Sequence, residues 1–402
     1  MKLRRLPEDF QVEELTRRAP DKGAFAFYRL TKNSIGTPEA VSAISDRLKI
    51  PRRRISYGGL KDRHAVTIQY LTIHQGPRSG FRHKSFNLEY LGQTSAAFTP
   101  ADIDGNRFQL VLRDMTQSES ADSLAAIDQI RTSGLPNYFD NQRFGSLGVS
   151  GDWIAKSWCQ GDYERALWLA LADPYQYDHA DERRQKEIMR EHWGRWPECK
   201  QALSRSHRRS IVTFLSDKVE SGRHPDYRGA FARISVDLRG LYLSAWQSAL
   251  WNRLLTRFIK HIAGHEACRE FPLISGPAVF IAGTSSSLPP DLAKVQLILP
   301  SARIDRPEGI VGELLDRVLA EEGIELRQIR VKYPRDSFFS KGSRQAIIFP
   351  DELTAHSHPD ELYPQRRKLV TRFCLPRGSY ATILVKRITS GCSDPPELDD
   401  EE

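Results

Sequence analysis

The sequence predicts a mixed α/β (α+β) protein of two domains, and three observations carry the prediction. The chain has 402 residues, more than one compact core ordinarily serves and enough for two. Segments that alternate apolar and polar side chains, as half-buried strands do, stand towards both ends: AFAFYRLTK (24–32) and NRFQLVLRDM (106–115) at one, KLVTRFCL (368–375) at the other. Between them, from about residue 162 to 229, the texture turns to helical sequence rich in Arg, His and Trp.

Taken in order, the polar opening PEDFQVEEL (7–15) and the run 24–32 read as two strands. Thr37 followed by Pro38 reads as a helix start, with Thr as cap and Pro at the first helical position; Val41, Ile44 and Leu48 then recur at helical spacing until Pro51. ISYGGLKDRHAVTIQYLTIH (55–74) runs from a glycine-bearing loop into a β-branched strand, so Asp62 falls in a loop between ordered elements. A helix over 122–133 stops at Gly134 and Pro136, and the loop LPNYFDNQRFG (135–145) follows. In the middle, 241–261 is the strongest helix, succeeded by Pro- and Gly-rich turns over 272–290 and strand-like runs such as AKVQLILP (293–300). The end returns to a strand, a Pro-Arg-Gly turn and a helix capped by Ser379, with Ala381, Leu384, Val385 and Ile388 on one face.

Composition narrows the function classes. With 40% hydrophobic and 27% charged residues the chain is globular rather than disordered. Lys and Arg total 59 against 51 Asp and Glu, a net +8 that makes nucleic acid the leading partner class. Residues 394–402 read as a solvated acidic tail. The cysteines at 159, 199, 268, 374 and 392 form no CxxC pair, which argues against a zinc site or a disulfide framework and fits a reducing, cytoplasmic location. The first residues lack a signal-peptide core, and no run approaches the ~18 apolar residues of a membrane span, so neither export nor a membrane is expected. His261 and His265 have helical ligand spacing but lack the intervening glutamate of a metallohydrolase, and GGLKD lacks the spacing of a phosphate-binding loop; no metal or cofactor is expected.

Three segments go further: GGLKDRHAVTIQ (58–69), PNYFDNQRFG (136–145) and LPRGSYATILVKRI (375–388). With PEDFQVEE (7–14) and SAWQSALWN (244–252), they resemble the signature blocks of the TruD-type pseudouridine synthases, in family order over nearly the whole chain. The resemblance implies a pseudouridine-synthase catalytic domain with a mixed, largely antiparallel sheet, built from residues 1–160 and 346–392. It also implies an inserted α/β TRUD domain over 161–345, and leaves 393–402 as the acidic tail. The implied activity is conversion of uridine to pseudouridine in tRNA, at position 13, without cofactor or metal.

That reaction breaks the bond from ribose C1′ to uracil N1, turns the base and rejoins it through C5. It requires an anionic group at the sugar face, as in glycosyl transfer through oxocarbenium-like states. The resemblance puts that role on Asp62; the alternative is an ordinary loop aspartate between Lys61 and Arg63. A buried carboxylate needs a cation to stay ionised, and Arg4 stands where the family more often has lysine, with Lys2 and Arg5 close by.

An everted base is held by aromatic stacking and by hydrogen bonds to its edge. Phe10, Phe139 and Tyr380 match the family's pocket aromatics, Tyr380 replacing a phenylalanine, and Asn137 matches its amide. Core packing for Phe10 and Tyr380, and a turn after Pro136 for Asn137, are the alternatives. Arg143 is expected to orient its loop through a buried ion pair and His64 to brace Asp62. Arg52, Arg53, Arg54, Lys61 and Arg63 would hold tRNA phosphates or form a solvated patch. His207, Arg208 and Arg209 read either as tRNA contacts or as a charged helix face. Two competing functions are a non-catalytic RNA-binding protein on the same fold and a glycosidase releasing free uracil. The sequence leaves the oligomeric state open.

Overall fold

A computed structural model describes residues 1–176, 178–282 and 291–392. Its contacts divide the chain into two compact units, Met1–Asn137 with Ile347–Glu402, and Tyr138–Ala346. Residues 138–160 thus group with the middle of the chain. The acidic tail lies outside the described residues.

The first unit is built on a ten-stranded sheet. Its path runs Asp351–Pro359, Arg367–Pro376, Gly105–Met115, Phe10–Leu15, Val66–His74, Phe25–Asn33, Phe86–Thr94 and Phe81–His83. Lys2–Leu3 adds to Gly105–Met115, and Ile55–Tyr57 to Val66–His74. Phe10–Leu15 lies parallel to Val66–His74, and the other pairs in this sheet are antiparallel. The sheet is thus mixed and largely antiparallel. Arg367–Pro376 pairs along Gly105–Met115, so both ends of the chain supply one sheet.

Alternation does the local work. Phe10, Val12 and Glu14 turn to the buried side of their strand while Gln11, Glu13 and Leu15 are partly exposed. The helix Thr37–Leu48 buries Ala40, Val41 and Ile44 against Tyr28, Leu30, Leu71, Ile73 and Leu88. The last helix, Ala381–Ile388, buries Ala381, Leu384, Val385 and Ile388 as the pattern predicts.

Two expected caps fail. Gly36, not Thr37, precedes the first helix, and Tyr380, not Ser379, precedes the last; neither makes a side-chain cap. Thr37 is already helical, and its hydroxyl is engaged elsewhere, in the loop that carries Asp62.

The second unit centres on the helix Val236–Ala263, whose Tyr242, Trp246, Trp251, Leu255 and Phe258 are buried. It begins before the predicted 241 because Ser235 caps it by accepting the Leu238 N–H. Shorter helices and, among the described residues, two small antiparallel strand pairs complete an α/β unit: Cys268–Phe271 with Ala278–Ile281, and Gln296–Ile298 with Ser343–Gln345.

Candidate active site

The loop between Ile55–Tyr57 and Val66–His74 is tied down by side chains from four strands and a helix. A Cβ on Gly58 would sit 2.4 Å from Ile103 Cδ1, so a larger residue there would have to push the Ile103 side chain aside. The Thr37 hydroxyl donates to Gln69 Oε1 at 2.8 Å and accepts the Lys61 N–H at 3.0 Å. Gln69 Nε2 in turn donates to the Gly59 carbonyl. Lys61 turns inward, donating to Asn106 Oδ1 at 2.6 Å and lying 3.3 Å from the buried carboxylate of Glu14. Burial pushes the Glu14 pKa up while Lys61 opposes it, and Glu14 also accepts the Tyr70 N–H.

Beneath the loop lies Lys32, 1% exposed. Its ammonium donates to three main-chain carbonyls: Asp62 at 2.7 Å, Ile35 at 2.8 Å and Lys61 at 3.3 Å. Burial pulls its pKa down to about 8, against the attraction of Asp62 and Glu39.

Asp62 itself is not buried, as the expectation of a sequestered carboxylate required; its side chain is 50% exposed. Arg4 Nη2 stands 3.5 Å from Asp62 Oδ2. Lys2 lies instead over the Tyr363 ring and Arg5 is exposed, so of the three basic candidates Arg4 forms the pair. The Arg4 guanidinium lies 3.9 Å over the Phe10 ring, which is 3% exposed and edge-on to Phe108. Arg4 has φ of 61°, an uncommon conformation for a non-glycine residue. Its Nε is buried without a hydrogen-bond partner among the described residues.

The turn before Phe10 is anchored separately. Asp9, 1% exposed, accepts from Arg113 Nε and from the Leu6 N–H, and Arg113 also reaches Asp360 at 3.0 Å.

Asn137, 5% exposed, ends the first segment of the same unit just after Leu135–Pro136, which pairs with Ile347–Ile348. Tyr380, partly exposed, opens the last helix. Phe139 belongs to the second unit. Asn252 clasps both its N–H and its carbonyl, at 2.9 and 2.8 Å, Trp251 packs edge-on against its ring, and Arg344 lies 4.2 Å over it. Arg143 makes no buried ion pair among the described residues; it bonds Ser248 and lies 5.7 Å over Phe139.

The expected phosphate-binding cluster divides. Lys61 is committed inward, and Arg54 holds the carbonyls of His74 and Gln75, whereas Arg52, Arg53 and Arg63 are exposed. His64 is exposed too and bonds nothing that would brace the loop among the described residues. In the second unit Arg208 pairs with Glu182, and His207 is exposed.

Sequence reasoning missed Lys32, Glu14, Asn106 and Gln69. One signal was available for Lys32: it shares the phase of Tyr28 and Leu30, the buried face of its strand. The assembled geometry is an accessible carboxylate with a fixed main chain and a cation at its side, the equipment of a nucleophile or base that works on a bound ligand.

Comparison with known proteins gives this geometry its context. A relative from Methanococcus maripaludis named "Probable tRNA pseudouridine synthase D 1" is 30% identical over 96% of this chain and 99% of its own length. The tRNA pseudouridine synthase D of Aquifex aeolicus is 26% identical over 98% of the chain and 99% of its own. A crystal structure of a candidate tRNA pseudouridine synthase D (TruD) from Methanosarcina mazei superposes with a TM-score of 0.76, covering 97% of this chain and 93% of that one. At 24% identity, that last likeness speaks for the fold. The profile of the tRNA pseudouridine synthase D (TruD) family matches residues 1–274 and 279–388, and with blocks, sheet and coverage in agreement the chain belongs to that family.

Proposed function

We propose that this protein isomerises uridine to pseudouridine in tRNA, at position 13, with Asp62 as the attacking carboxylate. The observation that carries the reading is the Asp62 loop. Its main chain is held by a buried ammonium while its carboxylate stays half exposed, 3.5 Å from Arg4. An everted uridine reaching this loop meets an anion whose place is already fixed, so little motion is needed at the moment of attack. The carboxylate bonds to C1′ as the C1′–N1 bond breaks and the uracil leaves as its N1 anion; the uracil turns, C5 bonds to C1′ as the carboxylate leaves, and C5 gives up its proton while N1 gains one.

Arg4, stacked on Phe10, places its positive charge 3.5 Å from the Asp62 carboxylate. In this reading Asn137 bonds the uracil edge, whose carbonyls and imide N–H suit an amide. Phe10 and Tyr380, both of the first unit, supply aromatic surface for the base. The first unit is then the catalytic domain and the second the TRUD insertion. A cytoplasmic location belongs to the same reading; among the described residues no helix is long and apolar enough to cross a membrane.

The test is to incubate unmodified tRNA with the wild type and with Asp62→Ala, then map pseudouridine by carbodiimide-block primer extension. Modification of one uridine, at position 13, by the wild type alone is expected, with a rate loss on the order of 10⁴-fold or more in the variant. Equal modification by both proteins removes Asp62 from its role. Release of free uracil would favour a glycosidase, and tRNA binding without product the non-catalytic alternative.

A further inference from the structure

Lys32 is the feature that the proposed chemistry does not use. A lysine side chain is almost never fully buried unless it is paired, and among the described residues no carboxylate lies within ion-pair distance of this one. What surrounds the ammonium is main chain. Its three N–H donors meet three carbonyls, of Ile35, Lys61 and Asp62, at 2.8, 3.3 and 2.7 Å. Ile35 stands just before the helix Thr37–Leu48, and the other two carbonyls belong to the loop that carries the proposed nucleophile. A single cation therefore fastens that loop to the segment leading into the helix.

We propose that Lys32 is a positioning residue for the isomerisation: its buried ammonium gathers the carbonyls of the Asp62 loop, which turns the Asp62 carboxylate outward at a fixed height above the sheet. The proposal rests on the reading of Asp62 as nucleophile.

Three features support it. Hydrogen bonds from a charged donor are stronger than neutral ones, so two of them on adjacent loop carbonyls and a third on Ile35 restrict the loop more than an apolar contact could. The other side-chain tethers of the loop, Thr37 to the Lys61 N–H and Gln69 to the Gly59 carbonyl, reach residues before Asp62; the Lys32 bond alone, among the described side-chain contacts, holds the Asp62 carbonyl itself. Burial pulls the lysine pKa to about 8, so the group remains mostly protonated at neutral pH and keeps all three donors.

A methionine in place of Lys32 fills the same strand position and removes the donors. Removing the buried charge offsets part of the cost of leaving the three carbonyls without this donor, whereas a shift of about 1 Å in a reacting group costs roughly a hundredfold in rate. The experiment compares wild type, Lys32→Met, Lys32→Gln and Asp62→Ala by single-turnover release of tritium from tRNA carrying 5-tritiated uridine. The melting temperature and the affinity for unmodified tRNA are measured alongside.

Lys32→Met is expected to melt within a few degrees of the wild type, to bind tRNA with unchanged affinity and to react about a hundredfold more slowly. Lys32→Gln, which restores two N–H donors, is expected to recover about tenfold of that loss. A folded Lys32→Met that reacts within threefold of the wild type overturns the inference, as does a loss confined to tRNA affinity. If Lys32→Met does not fold, Lys32→Gln decides: a slowed rate in a folded protein supports the assignment and a wild-type rate overturns it. An inactive Asp62→Ala beside a fast Lys32→Met sinks this inference alone, whereas an active Asp62→Ala removes the reading beneath it and sinks both.

Discussion

Two aspartates of the first unit, Asp9 and Asp62, each face an arginine, and their differences separate a structural carboxylate from one available for chemistry. Asp9 is 1% exposed, its partner Arg113 is 5% exposed at 2.9 Å, and its oxygens accept further bonds from Arg113 Nε and the Leu6 N–H. Every lone pair there has a use inside the fold. Asp62 is half exposed, its arginine is 3.5 Å away, and the bond that fixes it goes through its carbonyl rather than its carboxylate. The structure immobilises the residue by the main chain and leaves the acid uncommitted. A fixed group with spare bonding capacity is what preorganised catalysis requires.

Breaking each aspartate in turn gives the widest separation. Asp9→Ala leaves Arg113 buried with part of its charge uncompensated and is expected to cost about 3 to 5 kcal/mol of stability. Asp62→Ala is expected to change stability by no more than about 0.5 kcal/mol, as for most exposed positions. Urea unfolding of both variants checks the contrast, and comparable losses would erase the distinction drawn between the two sites.

A smaller effect concerns the cation beneath Asp62. Burial lowers the Lys32 pKa from its ordinary 10.5 to about 8, in the face of Asp62 and Glu39, which raise it, and with Lys61 adding to the fall. Between those two pH values the unfolded chain still holds a proton that the folded chain has shed, so stability rises with pH across the window. Below pH 8 the cost of burying the charge is present in full. The whole change amounts to about 3 kcal/mol. The stability of the wild type relative to Lys32→Met should therefore improve by roughly that amount from pH 8 to 10.5; a difference that stays flat with pH would mean that the lysine is not buried as an ammonium.

The smallest effect sharpens the role of Arg4. Arg4→Met keeps an apolar stem over Phe10 and deletes the charge beside Asp62. A tenfold fall in kcat, about 1.4 kcal/mol of transition-state stabilisation, is expected with little change in melting temperature. An unchanged kcat would reduce the 3.5 Å pair to a surface contact.

Much of this molecule was readable from residues alone. Alternating apolar positions gave the strands 24–32, 106–115 and 368–375 to within a few residues, because a half-buried strand must obey a period of two. The loop position of Asp62 followed from the glycines before it and the β-branched run after it. The caps at Thr37 and Ser379 were misread because a hydroxyl near a helix start is equally suited to a tertiary bond, and Thr37 made one.

Composition, period and motif blocks thus determined that the chain is a two-unit, mixed α/β protein of this family, and they singled out Asp62. Tertiary structure alone decided which charges serve the fold and which remain available. Lys61, Glu14 and Asn106 are far apart in the chain and meet because Phe10–Leu15 runs parallel to Val66–His74 and antiparallel to Gly105–Met115. The direction in which a loop side chain turns depends on such distant pairings, and a period read along one strand carries no information about its neighbour.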